Sequence, residues 1–332
     1  MALAQDGAST ILNAVACRRG GGPIESAIVP RLAAFPKGFF DAIVARRMTV
    51  FEWIEIAGDL GLDGVELYPR FLDSFDSTHL AKVRKAADDR GLAIPMLCNS
   101  PDFTQPDKAA RRQEVERTRQ MFRVTAELGG RWCRVLSGQN RPGLLEEEAL
   151  GWVIDCLWEL VPHAQAAGVV MAMENHYKDG LWEYPEFAQS HRLYLTILDA
   201  VDSPWLGAQY DPSNAVVAGE DPYALLDRVR PRLVSMQASD RYLEGGTIED
   251  LRRLGADPTH GYAKIVRHGV IGRGLNDYDR IFSTLARTGY DGWVSIEDGE
   301  GPTIEEGREN LRASAKFLRG KLAQHFRRQA GV

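Results

Sequence analysis

The chain has 332 residues, of which 44% are hydrophobic and 26% are charged, so it can bury a large core as one large α/β domain or two ordinary ones. Its formal net charge of −6 argues against a surface that coats nucleic acid. Neither a signal peptide nor an apolar run of membrane-spanning length is recognisable, which predicts a cytoplasmic protein with no membrane segment.

Strand and helix patterns alternate along the chain after an irregular extension over residues 1–30. Each predicted strand is a short apolar run bounded by turn residues, and each predicted helix carries an apolar face. Eight strands are predicted, over residues 31–35, 64–68, 94–98, 132–136, 169–176, 206–211, 233–238 and 293–297. Helices are predicted over residues 48–60, 77–90, 108–128, 146–167, 186–200, 222–230, 278–287 and 304–327.

The helix over 48–60 has a clear start signal. Thr49 is a suitable N-cap, and Glu52 three residues later completes a capping box. Gly61 ends the helix.

Eight strand–helix units in strict alternation predict a single (β/α)8 TIM barrel over residues 31–320, followed by a short C-terminal tail over 321–332. A doubly wound sheet is the competing fold. It would need a glycine-rich phosphate loop after the first strand, whereas Gly20-Gly-Gly22 precedes that strand.

The four cysteines are too far apart for a zinc knuckle or a redox pair. We therefore expect reduced thiols, with Cys98 and Cys133 inside apolar strands and Cys17 and Cys156 elsewhere.

The fifth predicted strand ends in ionisable residues. Side chains alternate along a strand, so Glu174 and His176 point to the same side, at the C-terminal end where barrel enzymes carry their active sites. For a single strand, the alternative is a structural glutamate beside a hydrogen-bonded histidine.

Three further predicted strands also end in polar side chains, namely Asp211, Gln237 and Glu297. Several carboxylates converging on one barrel mouth would repel each other, and a divalent cation would offset that repulsion. Oxygen donors without thiolates favour Mn²⁺, with Mg²⁺ or Co²⁺ as alternatives. The other interpretation is that these acids pair with basic residues at the rim.

These residues belong to motifs that resemble the sugar-phosphate isomerase/epimerase superfamily of xylose-isomerase-like barrels. The motifs are Gly61-Leu-Asp-Gly-Val-Glu-Leu67, Glu174-Asn-His176, Asp211-Pro-Ser-Asn214 and Gly289-Tyr-Asp-Gly-Trp-Val-Ser-Ile-Glu297. The resemblance implies one divalent metal held by Glu174, Asp211, Gln237 and Glu297. Gln237 departs from the family, which usually has histidine there. A second departure is a long loop between strands seven and eight, about 242–273, which carries His260, His268 and Arg273.

The resemblance implies an enzyme that removes a proton next to the carbonyl of a sugar, with the metal polarising that carbonyl. His176 is the favoured base because imidazole titrates near neutral pH, and Glu174 or Glu297 could combine ligand and base roles. If none of these is the base, Glu66 and Lys37 are the next candidates.

Phe35-Pro-Lys-Gly38, Glu174-Asn-His-Tyr177, the N-terminal extension and the long loop together resemble the larger subunit of bacterial C-glycoside deglycosidases. That likeness implies β-elimination of the aglycone from a 3-oxo-glycoside, a small second protein subunit and an oligomer. The alternative is a ketose epimerase or an aldose-ketose isomerase.

Two other classes are less compatible with the sequence. A DNA-repair nuclease on this barrel would need several zinc ions and many histidines, and only His176 of the seven histidines lies at a predicted strand end. A metal-free sugar-binding protein would need the acids to be salt-bridged.

Several residues near predicted strand ends are candidates for substrate binding. Arg134 could orient an oxygen-rich substrate or balance the charge of Glu66, and Lys37 could do either. An aromatic face could stack on a sugar at Tyr68. The complete set of predicted substrate-binding residues is Glu66, Tyr68, Arg134, Asn214, Lys37 and Arg273.

Overall fold

Eight parallel strands form one sheet that curls into a barrel in the computed structural model, which describes residues 29–255 and 265–326. The barrel strands are β1 (Arg31–Ala34), β2 (Gly64–Val65), β3 (Met96–Cys98), β4 (Trp132–Val135), β5 (Val170–Glu174), β6 (Leu206–Tyr210), β7 (Leu233–Ala238) and β10 (Trp293–Ile296). Two further short strands, β8 (Tyr242–Leu243) and β9 (Val266–Arg267), pair with each other in the segment between β7 and β10.

The strand order is β2-β1-β10-β7-β6-β5-β4-β3. The two ends of this order meet, because Val65 N donates to Ala93 O at 2.9 Å and Cys98 N donates to Leu67 O at 2.7 Å. The sheet therefore closes on itself, which confirms the TIM barrel and excludes the doubly wound alternative.

Helices connect the strands and cover the outside of the barrel. They are α1 (Phe40–Val44), α2 (Val50–Asp59), α3 (Ser77–Asp89), α4 (Lys108–Glu127), α5 (Glu146–Ala167), α6 (His191–Ala200), α7 (Pro212–Val217), α8 (Pro222–Val229), α9 (Ile248–Gly255), α10 (Tyr278–Arg287) and α11 (Ile304–Phe326). None of the helices in the described ranges is long and apolar enough to cross a membrane.

Local sequence determines several helix ends. Thr49 and Glu52 form the predicted capping box at the start of α2, with hydrogen bonds in both directions. Helix α5 ends at Gly168, whose φ of 66° lies in the left-handed region where glycine is favoured.

The inside of the barrel is polar near its C-terminal end. Glu66, directly after β2, reaches Gln237 on β7 at 2.8 Å, although β1 and β10 separate their strands in the sheet. Such a contact requires both side chains to point into the barrel. The apolar core lies outside this layer and includes Trp53 and Ile54 of α2, which are fully buried.

Some predicted boundaries were wrong. The fifth strand ends at Glu174 and not at His176, and the helix predicted from residue 186 begins at His191, after its N-cap Ser190. Residues 186–190 lie in a loop because Glu186 forms an isolated bridge with Gln139 and buries its carboxylate.

Helix α11 ends at Phe326, within one residue of the helix predicted over 304–327. It therefore extends into the region predicted as a tail from residue 321, where Leu322 and Phe326 are buried. Most of the predicted N-terminal extension, with Cys17, lies outside the described residues, as do residues 327–332 and His260. Cys98, Cys133 and Cys156 are buried free thiols, as expected.

Candidate metal and proton-transfer site

Three buried carboxylates meet at the C-terminal end of the barrel. Glu174 ends β5, Asp211 follows β6 and Glu297 follows β10. One oxygen from each side chain lies within 4.8 Å of the others. The sequence predicted this convergence from strand alternation, and the closed barrel produces it.

Burying acids together makes their ionised forms costly. Burial, and then repulsion from Glu297, raises the pKa of Glu174 well above its usual range. Burial also raises the pKa of Asp211 to about 6, and Arg241 partly opposes this increase. A bound divalent cation would offset the free-energy cost of ionising these buried carboxylates.

Arg134 on β4 holds Glu174 in place. Its Nη1 donates to Glu174 Oε2 at 3.0 Å, and its Nη2 and Nε donate to Ser100 Oγ and Asn99 O at 2.8 and 3.2 Å. All three guanidinium nitrogens therefore have protein partners. The carboxylate to which Arg134 donates is that of Glu174 on the adjacent strand β5, whereas Glu66 accepts hydrogen bonds from Gln237 and Cys98 instead.

The two carboxylate oxygens of Asp211 differ in their hydrogen bonds. Oδ1 accepts hydrogen bonds from Asn214 N at 2.8 Å, which caps α7, and from Ser239 Oγ at 2.7 Å. Oδ2 is buried and accepts no hydrogen bond from the described residues. Asn175 fixes the Asp211 backbone by donating to its carbonyl and accepting from its amide, at 2.7 and 2.8 Å.

Like Asp211, Gln237 has one buried side-chain oxygen that accepts no hydrogen bond from the described residues. Its Nε2 donates to Glu66 Oε2 at 2.8 Å, which fixes the amide orientation and leaves Oε1 buried without a hydrogen bond within the described ranges. Burial raises the pKa of Glu66 to about 7.

The donor set fits a divalent cation. Two oxygens, on Asp211 and Gln237, are buried and accept no hydrogen bond from the part of the chain that the structure describes. Buried acceptors of this kind normally have a partner. Carboxylate and amide oxygens suit Mn²⁺ or Mg²⁺, with Co²⁺ also compatible.

We expect Gln237→His to retain a bound metal and to change its selectivity toward Zn²⁺ or Co²⁺, because imidazole is a softer donor than an amide oxygen. Competition titrations of Mn²⁺ against Zn²⁺ would measure the change. Gln237→Asn, which keeps the amide on a shorter chain, is the matched control. Unchanged selectivity in Gln237→His would argue against direct ligation.

Metal affinity should depend on pH through Asp211. Its carboxyl must lose a proton to bind a cation, and its pKa is raised to about 6. We therefore expect affinity to decrease as pH falls through about 6, as measured by calorimetric titration between pH 5 and 8. A constant affinity over this range would contradict Asp211 as a ligand.

His176 lies beyond the end of β5 and is buried. Burial lowers its pKa well below the usual histidine value, and the charges of Arg134, Lys37 and Arg241 lower it further. These three cations belong to β4, to the turn after β1 and to the segment after β7. Because β5 ends at Glu174, strand alternation does not fix the direction of His176, and its role at the barrel mouth stays a prediction.

The other residues predicted to bind substrate differ in their contacts and in their exposure. Lys37 Nζ is 3.9 Å from Glu297 Oε1, and Asn214 Nδ2 donates to Glu174 Oε1 at 3.1 Å. Tyr68 packs against Phe40 and Phe71, with ring centroids 5.4 and 5.6 Å away. Arg273 is exposed and is not brought to the carboxylates.

Sequence reasoning missed two aspartates that hold the described residues 269–276, ahead of α10. Asp240 accepts hydrogen bonds from the backbone amides of Gly272, Gly274 and Asn276 at 2.7–3.0 Å. Asp298 accepts from the amides of Asp240 and Gly269, both at 2.9 Å. Their positions one to three residues after predicted site residues were the available signal.

Two more side chains near the mouth were not predicted as site residues. Arg241 is buried and influences the pKa of Asp211 and His176. Glu186 is buried beside His176, with Oε2 3.8 Å from His176 Nδ1. A sequence window around Glu186 shows only a helix-like pattern, so nothing local revealed this contact.

The C-terminal end of the barrel, where these carboxylates meet, is where TIM-barrel enzymes carry their active sites. Residues 54–321 match the xylose isomerase-like TIM barrel family, and the chain belongs to it. Its homologues are sugar-modifying enzymes.

One curated relative is an inosose dehydratase from Bacillus thuringiensis (strain Al Hakam), which is 26% identical over 188 residues. The match covers 55% of this chain and 58% of the relative. The chain therefore matches little more than half of the relative's length.

Solved structures show the same fold. A 3-keto-D-glucoside 4-epimerase from E. coli has a TM-score of 0.63 and 17% identity, covering 88% of this chain and 99% of that one. The IOLI protein with a binding zinc atom has a TM-score of 0.67 and 15% identity, covering 89% and 99%.

Proposed function

We propose that the protein is a divalent-metal-dependent enzyme that removes a proton from the carbon next to the carbonyl of a ketosugar or a similar polyhydroxy ketone. The observation that carries this proposal is the cluster of Glu174, Asp211 and Glu297, which are buried with oxygens within 4.8 Å of one another. Family membership supports a sugar-modifying activity.

Glu174, Asp211, Glu297 and the amide oxygen of Gln237 would hold the metal. We propose Mn²⁺, because all four donors are oxygens, and the zinc atom of the IOLI protein makes Zn²⁺ the main competitor. When bound, the cation would polarise the substrate carbonyl and offset the negative charge that follows proton loss.

The protein's own groups then perform the proton transfer. His176 is held neutral by burial and nearby cations, so it is available to accept the proton near neutral pH. Arg134 and Asn214 fix the two oxygens of Glu174, which keeps that carboxylate from rotating toward the base. Lys37 near Glu297 places a positive charge where an oxygen-rich substrate would enter.

The fate of the substrate after proton loss distinguishes elimination from epimerisation. In β-elimination, the C–H electron pair forms a C=C bond while the bond from the β-carbon to the leaving group breaks, and the leaving group takes up a proton. The inosose dehydratase relative favours elimination. The 3-keto-D-glucoside epimerase supports a 3-oxo sugar as substrate and return of the proton to the opposite face.

Our specific proposal is β-elimination of the aglycone from a 3-oxo-C-glycoside, with a small second protein subunit and an oligomeric assembly. A ketose epimerase or aldose-ketose isomerase is the second candidate. A metal-free sugar-binding protein is a remote third, for which dialysed protein should retain no stoichiometric metal.

Incubation with 3-oxo-C-glycosides, keto-inositols and ketoses, with and without EDTA, would test these proposals. Release of a free aglycone would support the deglycosidase, loss of water the dehydratase, and a stereoisomeric product the epimerase. Solvent deuterium should enter the carbon next to the carbonyl in an epimerisation. Turnover that EDTA leaves unchanged would contradict the metal requirement.

A further inference from the structure

Glu186 is held rigidly by the end of β4. Its Oε1 accepts hydrogen bonds from Ser137 N at 2.7 Å and from Ser137 Oγ at 2.5 Å. The backbone of the same residue is fixed as well, since Glu186 N donates to Tyr177 O at 2.7 Å. Oε1 of Glu186 therefore has two hydrogen-bond donors, and these contacts fix the direction in which Oε2 points.

That second oxygen faces His176. Glu186 Oε2 and His176 Nδ1 are 3.8 Å apart, and both are buried without a hydrogen bond among the described residues. The separation is about 1 Å longer than a hydrogen bond, a distance that a small rotation of the imidazole can close. Apo sites often show catalytic hydrogen bonds in this lengthened form.

We propose that Glu186 is a positioning residue that holds the proton of His176 on Nδ1, so that Nε2 carries the lone pair that accepts the substrate proton. This inference rests on the proposed function of His176. The two ring nitrogens differ only through such a partner, because the hydrogen bond at one nitrogen decides which is protonated.

Burial and Ser137 act in opposite directions on the ionisation of Glu186. Burial raises the pKa of Glu186 to about 8 even though the two Ser137 donors favour the carboxylate, so the carboxylate is the main form above about pH 8. A third hydrogen bond, from His176 Nδ1, would favour the carboxylate further and extend it to lower pH. The carboxylate also stabilises the imidazolium that forms once Nε2 has accepted a proton, as the aspartate of a serine-protease triad does.

The Ser137 contacts make Glu186→Gln a sharp test. Both Ser137 donors require an oxygen at the Oε1 position, so the amide oxygen must take that place and the NH₂ group must face His176. The amide then donates to Nδ1 and forces the proton onto Nε2. The side chain at position 186 keeps its shape, but His176 Nε2 then carries a proton and cannot act as the base.

The experiment combines ¹⁵N NMR of histidine-labelled, metal-free protein at about pH 9, above the pKa of Glu186, with steady-state kinetics of the metal-loaded enzyme. His176→Gln assigns the His176 signals among those of the seven histidines. We expect the Nδ1–H tautomer in the native protein and the Nε2–H tautomer in Glu186→Gln. We also expect kcat to fall about 10²–10⁴-fold with KM and metal content within a few-fold of native.

Glu186→Asp is the conservative comparison, and it should keep the Nδ1–H tautomer and recover part of kcat. An Nε2–H tautomer in the native protein, or the same tautomer in native and Glu186→Gln protein, would overturn the proposal. If the tautomer changes as expected while kcat stays native, the positioning role is correct for the imidazole and the proposed function of His176 is wrong.

Discussion

Glu297→Gln is expected to lose its bound metal and at least about 10³-fold in kcat/KM, because a Lewis-acidic cation supplies several kcal/mol of transition-state stabilisation. The substitution replaces one of three carboxylates whose oxygens lie within 4.8 Å of one another, and it keeps the side-chain shape. Metal content after dialysis, by mass spectrometry, and turnover are the measurements. Full metal occupancy in this variant would remove Glu297 from the ligand set.

The fold should survive this change. Removing one like charge from a buried acidic cluster relieves repulsion in the metal-free protein, so its melting temperature in EDTA should not fall. Asp291→Asn, an exposed acid with the same change of charge, is the matched control and should keep metal and activity. Glu174→Ala is a less suitable test, since it would leave the buried Arg134 with only Asp179, 3.7 Å from its Nη2, as a carboxylate partner and so would destabilise the fold.

His176→Ala is expected to retain the metal and the substrate affinity and to lose about 10²–10⁴-fold in kcat, the usual contribution of a general base. A base must be neutral to accept a proton, so activity should fall as pH decreases through the pKa of His176. That pKa lies well below the usual value, which places the acidic limb of the native pH–rate profile below about 6.5. At saturating metal, where loss of the cation at low pH does not contribute, the variant should lack this limb.

His163→Ala is the control, because His163 lies on α5 and changes the same residue type outside the mouth. Loss of metal in His176→Ala would identify His176 as a ligand. Turnover within a few-fold of native would place the base elsewhere, with Glu66 and Lys37 as the next candidates.

The barrel and its acidic cluster were predictable because they follow from short-range patterns. Alternation of strands and helices predicts the fold, and period-two alternation predicts that Glu174, Asp211 and Glu297 point to one space. Neither prediction requires knowing which residues are in contact in the folded protein.

The contacts that set the properties of the site depend on closure and were not predictable in the same way. Arg134 pairs with Glu174 because β4 and β5 are adjacent in register, and Gln237 meets Glu66 only because the barrel closes. The contact between Glu186 and His176 needs a loop that folds back onto β4, where propensity alone favours a helix. The sequence indicates which groups face inward, and the tertiary structure decides which of them touch.

The two aspartates after β7 and β10 anchor the described part of the intervening segment by its backbone. Asp240 and Asp298 accept hydrogen bonds from the amides of Gly269, Gly272, Gly274 and Asn276, and these bonds use no side chain of the segment. Other attachments do use side chains, since Leu251 and Val266 pack against Tyr177 and Val217. The backbone anchors therefore tolerate sequence change in the residues between them, which would let that region vary in evolution while the carboxylates keep their positions.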